Sequence, residues 1–428
     1  MLSGYFERRA SLHALAYRDF RVLVAGTTLV GMAMPLQFLT QVFWVQDNYA
    51  ARSVLYVSLI AASRGLAMLL FSLIGGAIAD RFERRRVLLA CESASLAVNA
   101  VVAALMLTNP FGEATIVAVV VCTFAAAGVM SIDAPARSAS IPAIVGREHL
   151  ANAISLNTLA MQMTLPLTLP LVGILNGLFE PGQVYAGSLL MWGAILPLIA
   201  TLRYRSIGSA DKRQGMLGNI RAGLGYSWRH GTILAVIAIV VVVQVIGMPG
   251  VANPLGPVWM TEVLGLSETQ FGFMAMTWGI GAMLASVAMA RFRSIPQRGA
   301  TLWVAALIFG ASVLVFGYSR NIPLTAAANF ALGAAFSLML VASATIIQEI
   351  VSDEMRGRVM ALFPLTLGVA QLNTAPVGAI GQGIGLPTLV PLLGWLTIAA
   401  CLAVMLARPQ LRMVRPRAPS TVVAVASR

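Results

Sequence analysis

The chain has 428 residues, of which 58% are hydrophobic and only 11% charged, with a mean hydropathy of +0.83. A soluble globular protein carries about 25% charged residues, so the polar surface needed to face water on all sides is missing and lipid must solvate the excess. The formal net charge of +13 does not point to nucleic acid, because lysine is nearly absent and the arginines recur in short clusters between apolar stretches.

Residues 1–19 are polar and basic and read as a cytoplasmic segment. The apolar run after them is too long for the core of a cleavable signal, and no small-residue cleavage site closes it. A bilayer crossing needs roughly 17–25 apolar residues. Twelve segments qualify: 20–45, 53–78, 87–107, 114–136, 151–178, 184–202, 232–255, 269–290, 299–318, 324–350, 359–381 and 387–406. The polar stretch 203–231 is the longest between spans. It divides the chain into six-helix bundles at 20–202 and 232–406, joined by a cytoplasmic linker, with 407–428 as a cytoplasmic tail. The fold class is therefore all-α and polytopic, with twelve transmembrane helices in two pseudo-repeats. Short matches support the repeat: Asp80-Arg81-Phe82 against Ala290-Arg291-Phe292, and Ile144-Val145 with Glu148 against Ile350-Val351 with Glu354.

The cations fix orientation. Arg52 and Arg320 alone fall in one set of loops and Arg64 alone falls within a span, while every other of the 29 Lys and Arg lies in the opposite set or in the terminal segments. Under the positive-inside rule both termini face the cytoplasm and the host bilayer is the inner membrane. Cys91, Cys122 and Cys401 all lie in apolar segments, so neither a disulfide framework nor a metal site is expected. No phosphate-cradling glycine loop exists, so neither a cofactor nor direct ATP coupling is expected. Short loops without clustered Ser, His and acids argue against an enzyme.

The second and third spans are joined by Gly76-Ala-Ile-Ala-Asp80-Arg81-Phe82-Glu83-Arg84-Arg85. This resembles the loop signature of the major facilitator superfamily: a glycine, three residues, Asp-Arg and a basic pair. Together with Arg18-Asp19-Phe20-Arg21, Asp133-Ala-Pro135-Ala-Arg137 and Asp353-Glu354-Met-Arg356-Gly357-Arg358, it is similar to the branch holding enterobactin exporters and macrolide-efflux-type proteins. Glu83 stands where the superfamily usually has glycine, and Met163-Thr-Leu-Pro166-Leu-Thr-Leu-Pro170 replaces a usual glycine-proline motif. The resemblance implies secondary transport by alternating access, with efflux of a hydrophobic or amphipathic small molecule, coupled to protons, by a monomer. Import, uniport and a non-transporting sensor or scaffold are the alternatives.

It also implies a cytoplasmic gate of Gly76, Asp80, Arg81, Arg84, Arg85, Asp133, Arg137, Glu349, Arg356 and Arg358, in which Asp133 accepts the loop arginines. An ordinary pair between Asp133 and Arg137, four apart on one helix face, is the plainer alternative. Arg64, near mid-span, reads either as a counter-charge for an anion or as a structural cation. Glu92 reads as a partner for Arg64 or for the loop arginines. Gln37, Gln41, Gln162, Gln244, Gln371 and Asn373, with Trp278 and the methionines Met161, Met163, Met274 and Met276, are candidates for lining a cavity. The amides could equally bond helix to helix.

Overall fold

The computed structural model describes residues 10–146, 148–204, 216–252, 254–291, 298–360 and 362–410. The flanks, most of the linker and several side chains within helices, Asp80 among them, lie outside the described residues. Twelve helices are long and apolar enough to cross a membrane. These are α1 (Arg18–Asn48), α2 (Ser53–Arg81), α3 (Arg84–Thr108), α4 (Thr115–Val145), α5 (Leu150–Leu178), α6 (Pro181–Ala200), α7 (Gly231–Val263), α8 (Glu268–Arg291), α9 (Arg298–Tyr318), α10 (Ile322–Ile350), α11 (Glu354–Ile384) and α12 (Leu386–Ala407). All twelve sequence-predicted spans fall on them. A helix at Met216–Arg229 lies in the linker.

The helix ends follow local chemistry. Asn321 accepts from the Leu324 backbone N–H at 3.1 Å and starts α10, while Glu180 and Gln183 form a capping box at the start of α6, satisfying donors that lipid could not. Asp19 in the first turn of α1 accepts the Tyr204 backbone N–H at 2.8 Å, tying the entrance of α1 to the exit of α6.

Helices α1–α6 pack on one another, as do α7–α12, giving two bundles. They meet through α5 on α8 and α2 on α11. Gly173 and Gly272 lie back to back across the first seam: a Cβ on Gly272 would stand 2.7 Å from the Leu169 carbonyl oxygen and 2.9 Å from the Gly173 Cα. Across the second seam, a Cβ on Gly65 would stand 2.4 Å from the Leu372 nitrogen. Small residues at these points let backbones approach as side chains would not allow.

Two spans are interrupted. In α7 the α-helical turns give way to π-helical turns at Val243–Gly247 and Trp259–Val263, and the described α-helical segment before the second of these resumes at Leu255 after ending at Val251. In α11 the segments Leu362–Leu372 and Thr374–Ile384 flank Asn373. Irregular backbone at membrane depth is stable only where it is buried in protein or lines a cavity, and both breaks do so here.

Gly272→Ala should cost about 1–3 kcal/mol by overpacking the α5–α8 seam. Gly187→Ala, where an added methyl meets nothing within 4 Å, should be neutral or stabilise α6 by up to about 1 kcal/mol. Thermal unfolding of the two purified variants in detergent reads the contrast; equal midpoints would remove the seam from the account.

Candidate functional site

A cavity of about 280 Å³ sits between the bundles. Its wall comes from α1 (Leu39), α5 (Leu165, Leu169), the broken stretch of α7, α8 (Phe271, Ala275, Trp278), α10 (Asn329, Phe336) and α11 around its break (Leu367, Gln371, Thr374). Among the described residues, the lining is apolar and aromatic except for Gln244, Asn329, Gln371 and Thr374, and it contains no charged side chain. Hydrogen bonds hold the broken helices in place. Gln244, in the first π-helical turn, accepts from Thr366 Oγ1 at 2.9 Å, and Asn373 donates to the Val245 carbonyl at 2.9 Å. Asn329 donates to the Met274 carbonyl and to Thr277 Oγ1, both at 3.0 Å.

The arginine-poor loops mark one end of the molecule, and there the bundles are latched. Gln46 on α1 donates to Thr261 Oγ1 at 2.6 Å, Ser53 donates to the Glu262 carboxylate at 2.7 Å, and Gln382 donates to the Ala51 carbonyl at 2.8 Å. One helical turn deeper, Thr374 donates to the Ser58 carbonyl at 3.0 Å, and Phe43 meets Phe271 edge to face at 5.3 Å. Gln162 donates to Ser286 Oγ at 3.4 Å, a long bond nearer the arginine-rich end of the α5–α8 seam.

Toward the arginine-rich end, the charges pair within each bundle. Arg137 bonds the carboxylates of both Glu92 on α3 and Asp133 one turn back on its own helix, the latter at 2.9 Å. All three are buried, with 7%, 0% and 1% exposure respectively. The paired atoms leave Glu92 Oε2 and Arg137 Nη1 without protein partners. The expectation that Asp133 takes the loop arginines is corrected here: Arg84 donates to the Ala139 carbonyl at 2.8 Å and Arg85 to the Ala200 carbonyl at 2.7 Å, holding α3 against the ends of α4 and α6. Glu92 likewise pairs with Arg137 and not with Arg64 or the loop. Arg81 is exposed. Helix α2 approaches α4 closely at Gly75, where a Cβ would stand 2.6 Å from the Ser131 carbonyl oxygen. In the second bundle Glu349 pairs with Arg298, Arg356 donates to the Val351 carbonyl at 3.4 Å, and Arg358 reaches Met355 Sδ at 3.4 Å.

A second, smaller cavity of about 30 Å³ lies inside the first bundle. Gln37, Gln41 and Arg64 line it, not the central cavity, because α1 turns Leu39 to the centre and its two glutamines into the bundle. Gln37 donates to Ser188 Oγ at 3.0 Å and Gln41 to Thr123 Oγ1 at 3.1 Å, so both act as links between helices.

The family profile described as transmembrane secretion effector matches residues 10–420. The chain belongs to that family, within the major facilitator superfamily. The multidrug efflux pump Tap of Mycolicibacterium fortuitum is 25% identical over 347 residues, which is 77% of this chain and 80% of Tap. An uncharacterized transporter of the same superfamily from Mycobacterium tuberculosis is 26% identical over 75% of each chain. Among solved structures, the nucleoside transporter NupG superposes with a TM-score of 0.73 at 12% identity, covering 91% of this chain and 98% of its own. The inward-open xylose transporter XylE of E. coli gives 0.68 at 13%, covering 94% and 97%.

Several residues of this transporter's cavity escape sequence reasoning. Asn329 is an amide in an otherwise apolar span and could have been singled out by the rule that caught Gln244. Phe271, Phe336 and Thr374 carry no such mark. Met248 and Met260 supply the cavity's thioethers, whereas the expected Met161 is half exposed and Met274 is buried beside the wall.

Arg137→Met should strand two buried carboxylates and cost about 3–5 kcal/mol, seen as a collapse in folded yield. The double variant Arg137→Met with Glu92→Gln should recover part of it. Fluorescence-detected size exclusion of the membrane extracts distinguishes the two; equal yields from both would show the pair to be independent.

Proposed function

We propose that this transporter exports hydrophobic or amphipathic small molecules by alternating access, driven by proton influx, as a monomer in the inner membrane with both termini in the cytoplasm. The observation that carries the cargo class is the central cavity. Its wall offers Trp278, Phe271, Phe336 and two methionines, with amides and a hydroxyl for orientation and no fixed charge among the described residues. A sugar or an inorganic ion needs a dense array of polar partners, whereas a bulky apolar body with one or two hydrogen-bonding groups suits this wall. Export is supported by the likeness to Tap, named a multidrug efflux pump.

The contacts around the cavity support a cycle. With the arginine-poor end placed outside by the positive-inside rule, the latch of Gln46, Ser53 and Gln382 closes the outer mouth. The state described then awaits cargo from the cytoplasm. Breaking the latch and closing the gate around Asp80, Arg81, Arg356 and Arg358 would turn the cavity outward.

Proton coupling falls to Glu92. One guanidinium faces two buried carboxylates, so the cluster carries an excess negative charge in low dielectric unless a proton joins it. Taking up one proton neutralises the group, and losing it favours the bundle arrangement that admits water. The site thus has two charge states that can each favour one conformation.

Everted vesicles given a lipophilic fluorescent dye on their outer, cytoplasmic face test both parts through its uptake. Wild-type vesicles should move dye faster when an imposed proton gradient is present, and a protonophore should abolish the gain. Trp278→Ala should raise the apparent KM about tenfold, a loss near 1.4 kcal/mol. Glu92→Gln should retain downhill exchange while losing the response to the gradient. Dye movement no faster than in vesicles lacking the protein would defeat the export reading, and an intact gradient response in Glu92→Gln would move coupling elsewhere.

A further inference from the structure

We infer that the small cavity inside the first bundle is a binding site for a monovalent inorganic anion of chloride size. It is distinct from the cargo cavity and from the Glu92–Arg137–Asp133 cluster. Arg64 lines it from the middle of α2. An arginine cannot shed its charge in a protein, and at this depth a cation requires a partner. Among the described residues, however, Arg64 has neither an ion pair nor a hydrogen bond; its described neighbours are the Phe38 ring, 4.8 Å from the guanidinium carbon, and the Tyr185 phenol. A ring face softens a cation's burial without neutralising it. The buried acids of the same bundle are committed elsewhere: Glu92 and Asp133 share Arg137.

A second, independent observation comes from the far wall. Trp192 on α6 is 1% exposed and lines the same cavity, yet its indole Nε1–H finds no protein acceptor. The indole can only donate. Several other polar groups of the wall bond one another or neighbouring helices. The Tyr185 hydroxyl donates to Asn99 Oδ1 at 2.7 Å, and Asn99 in turn donates to the Ser95 carbonyl at 2.8 Å. Gln37 and Gln41 donate across the bundle to Ser188 and Thr123. A guanidinium on one wall and an indole N–H on another therefore face the cavity as donors, and the guanidinium brings a full positive charge that the neutral amides of Gln37 and Gln41 do not offset.

Size selects within the anions. At about 30 Å³ the space holds one or two particles the size of a water molecule, too little for sulfate or an organic carboxylate. Met34, Ala126, Ala127 and Met130 complete the wall and keep the local dielectric low, which strengthens an anion's attraction to Arg64. Water alone would engage the indole but leave the guanidinium's charge uncompensated. A halide meets both demands. It would hold α2 and α6 together through their shared ion, so the stability of the first bundle should depend on the salt's anion.

Purified full-length transporter in nanodiscs is titrated with sodium chloride against sodium gluconate at constant ionic strength, reading the thermal unfolding midpoint. Wild type should show a saturable rise with chloride and with bromide, and none with gluconate or sulfate. Trp192→Phe, which keeps the ring and removes the donor, should weaken the chloride midpoint at least tenfold, and Arg64→Gln should abolish saturation. Should Arg64→Gln fail to fold, the Trp192→Phe titration and bromide anomalous scattering at the cavity decide the matter. Identical midpoints in chloride and gluconate, or an undiminished chloride response in Trp192→Phe together with no bromide peak beside Arg64, would overturn the site and leave the cavity to water.

Discussion

Lipid offers no hydrogen bonds, and that single constraint governs what the rest of this chain may do. Every backbone group at membrane depth has to be satisfied from within, which is why the polypeptide crosses as long helices. The same constraint makes the two exceptions informative. Helices α7 and α11 lose their regular ladder opposite each other, and the loss is tolerable because Thr366 reaches Gln244 and Asn373 reaches the Val245 carbonyl. The irregular stretches thereby become walls of the central cavity. An unbroken pair of helices would have packed it shut.

Charge follows an equally strict economy. Within the described spans, acids and arginines deep in the protein occur as compact groups, Glu92 with Arg137 and Asp133 in one bundle and Glu349 with Arg298 in the other. The basic loop residues spend their donors on carbonyls at helix ends, as Arg84 and Arg85 do, where the negative end of the helix dipole welcomes them. Arg64 stands apart from this pattern, a cation at depth with an aromatic ring for company.

The architecture was legible in the sequence because it rests on two simple signals, apolar length and the alternation of arginine-rich loops. Single-residue features written into one helix were also legible, as with Gln244, Trp278 and Gln371, each polar or bulky at mid-span and each found on the cavity wall. Relations between helices were not. Nothing in the spacing of Glu92 and Arg137 says that α3 and α4 bring them together. The i, i+4 geometry of Asp133 and Arg137 predicted only half of the cluster. Gln37 and Gln41 show the other limit: an amide at mid-span is the same letter whether it faces cargo or a neighbouring serine, and the rotation of α1 decides which. The loop signature pointed to a family, but two of its arginines, Arg84 and Arg85, turned out to hold helix ends within their own bundle.

The α5–α8 seam carries a mechanical consequence. Gly173 and Gly272 bring main chain against main chain with no side chain interlocked between them. Interdigitated leucines would have to climb over one another for the bundles to rock. Two bare backbones present a smooth bearing, on which a pivot of several degrees costs few contacts on one side and gains as many on the other. Under the proposed alternating-access cycle, a contact of this kind yields to rotation and resists separation, as a fulcrum must.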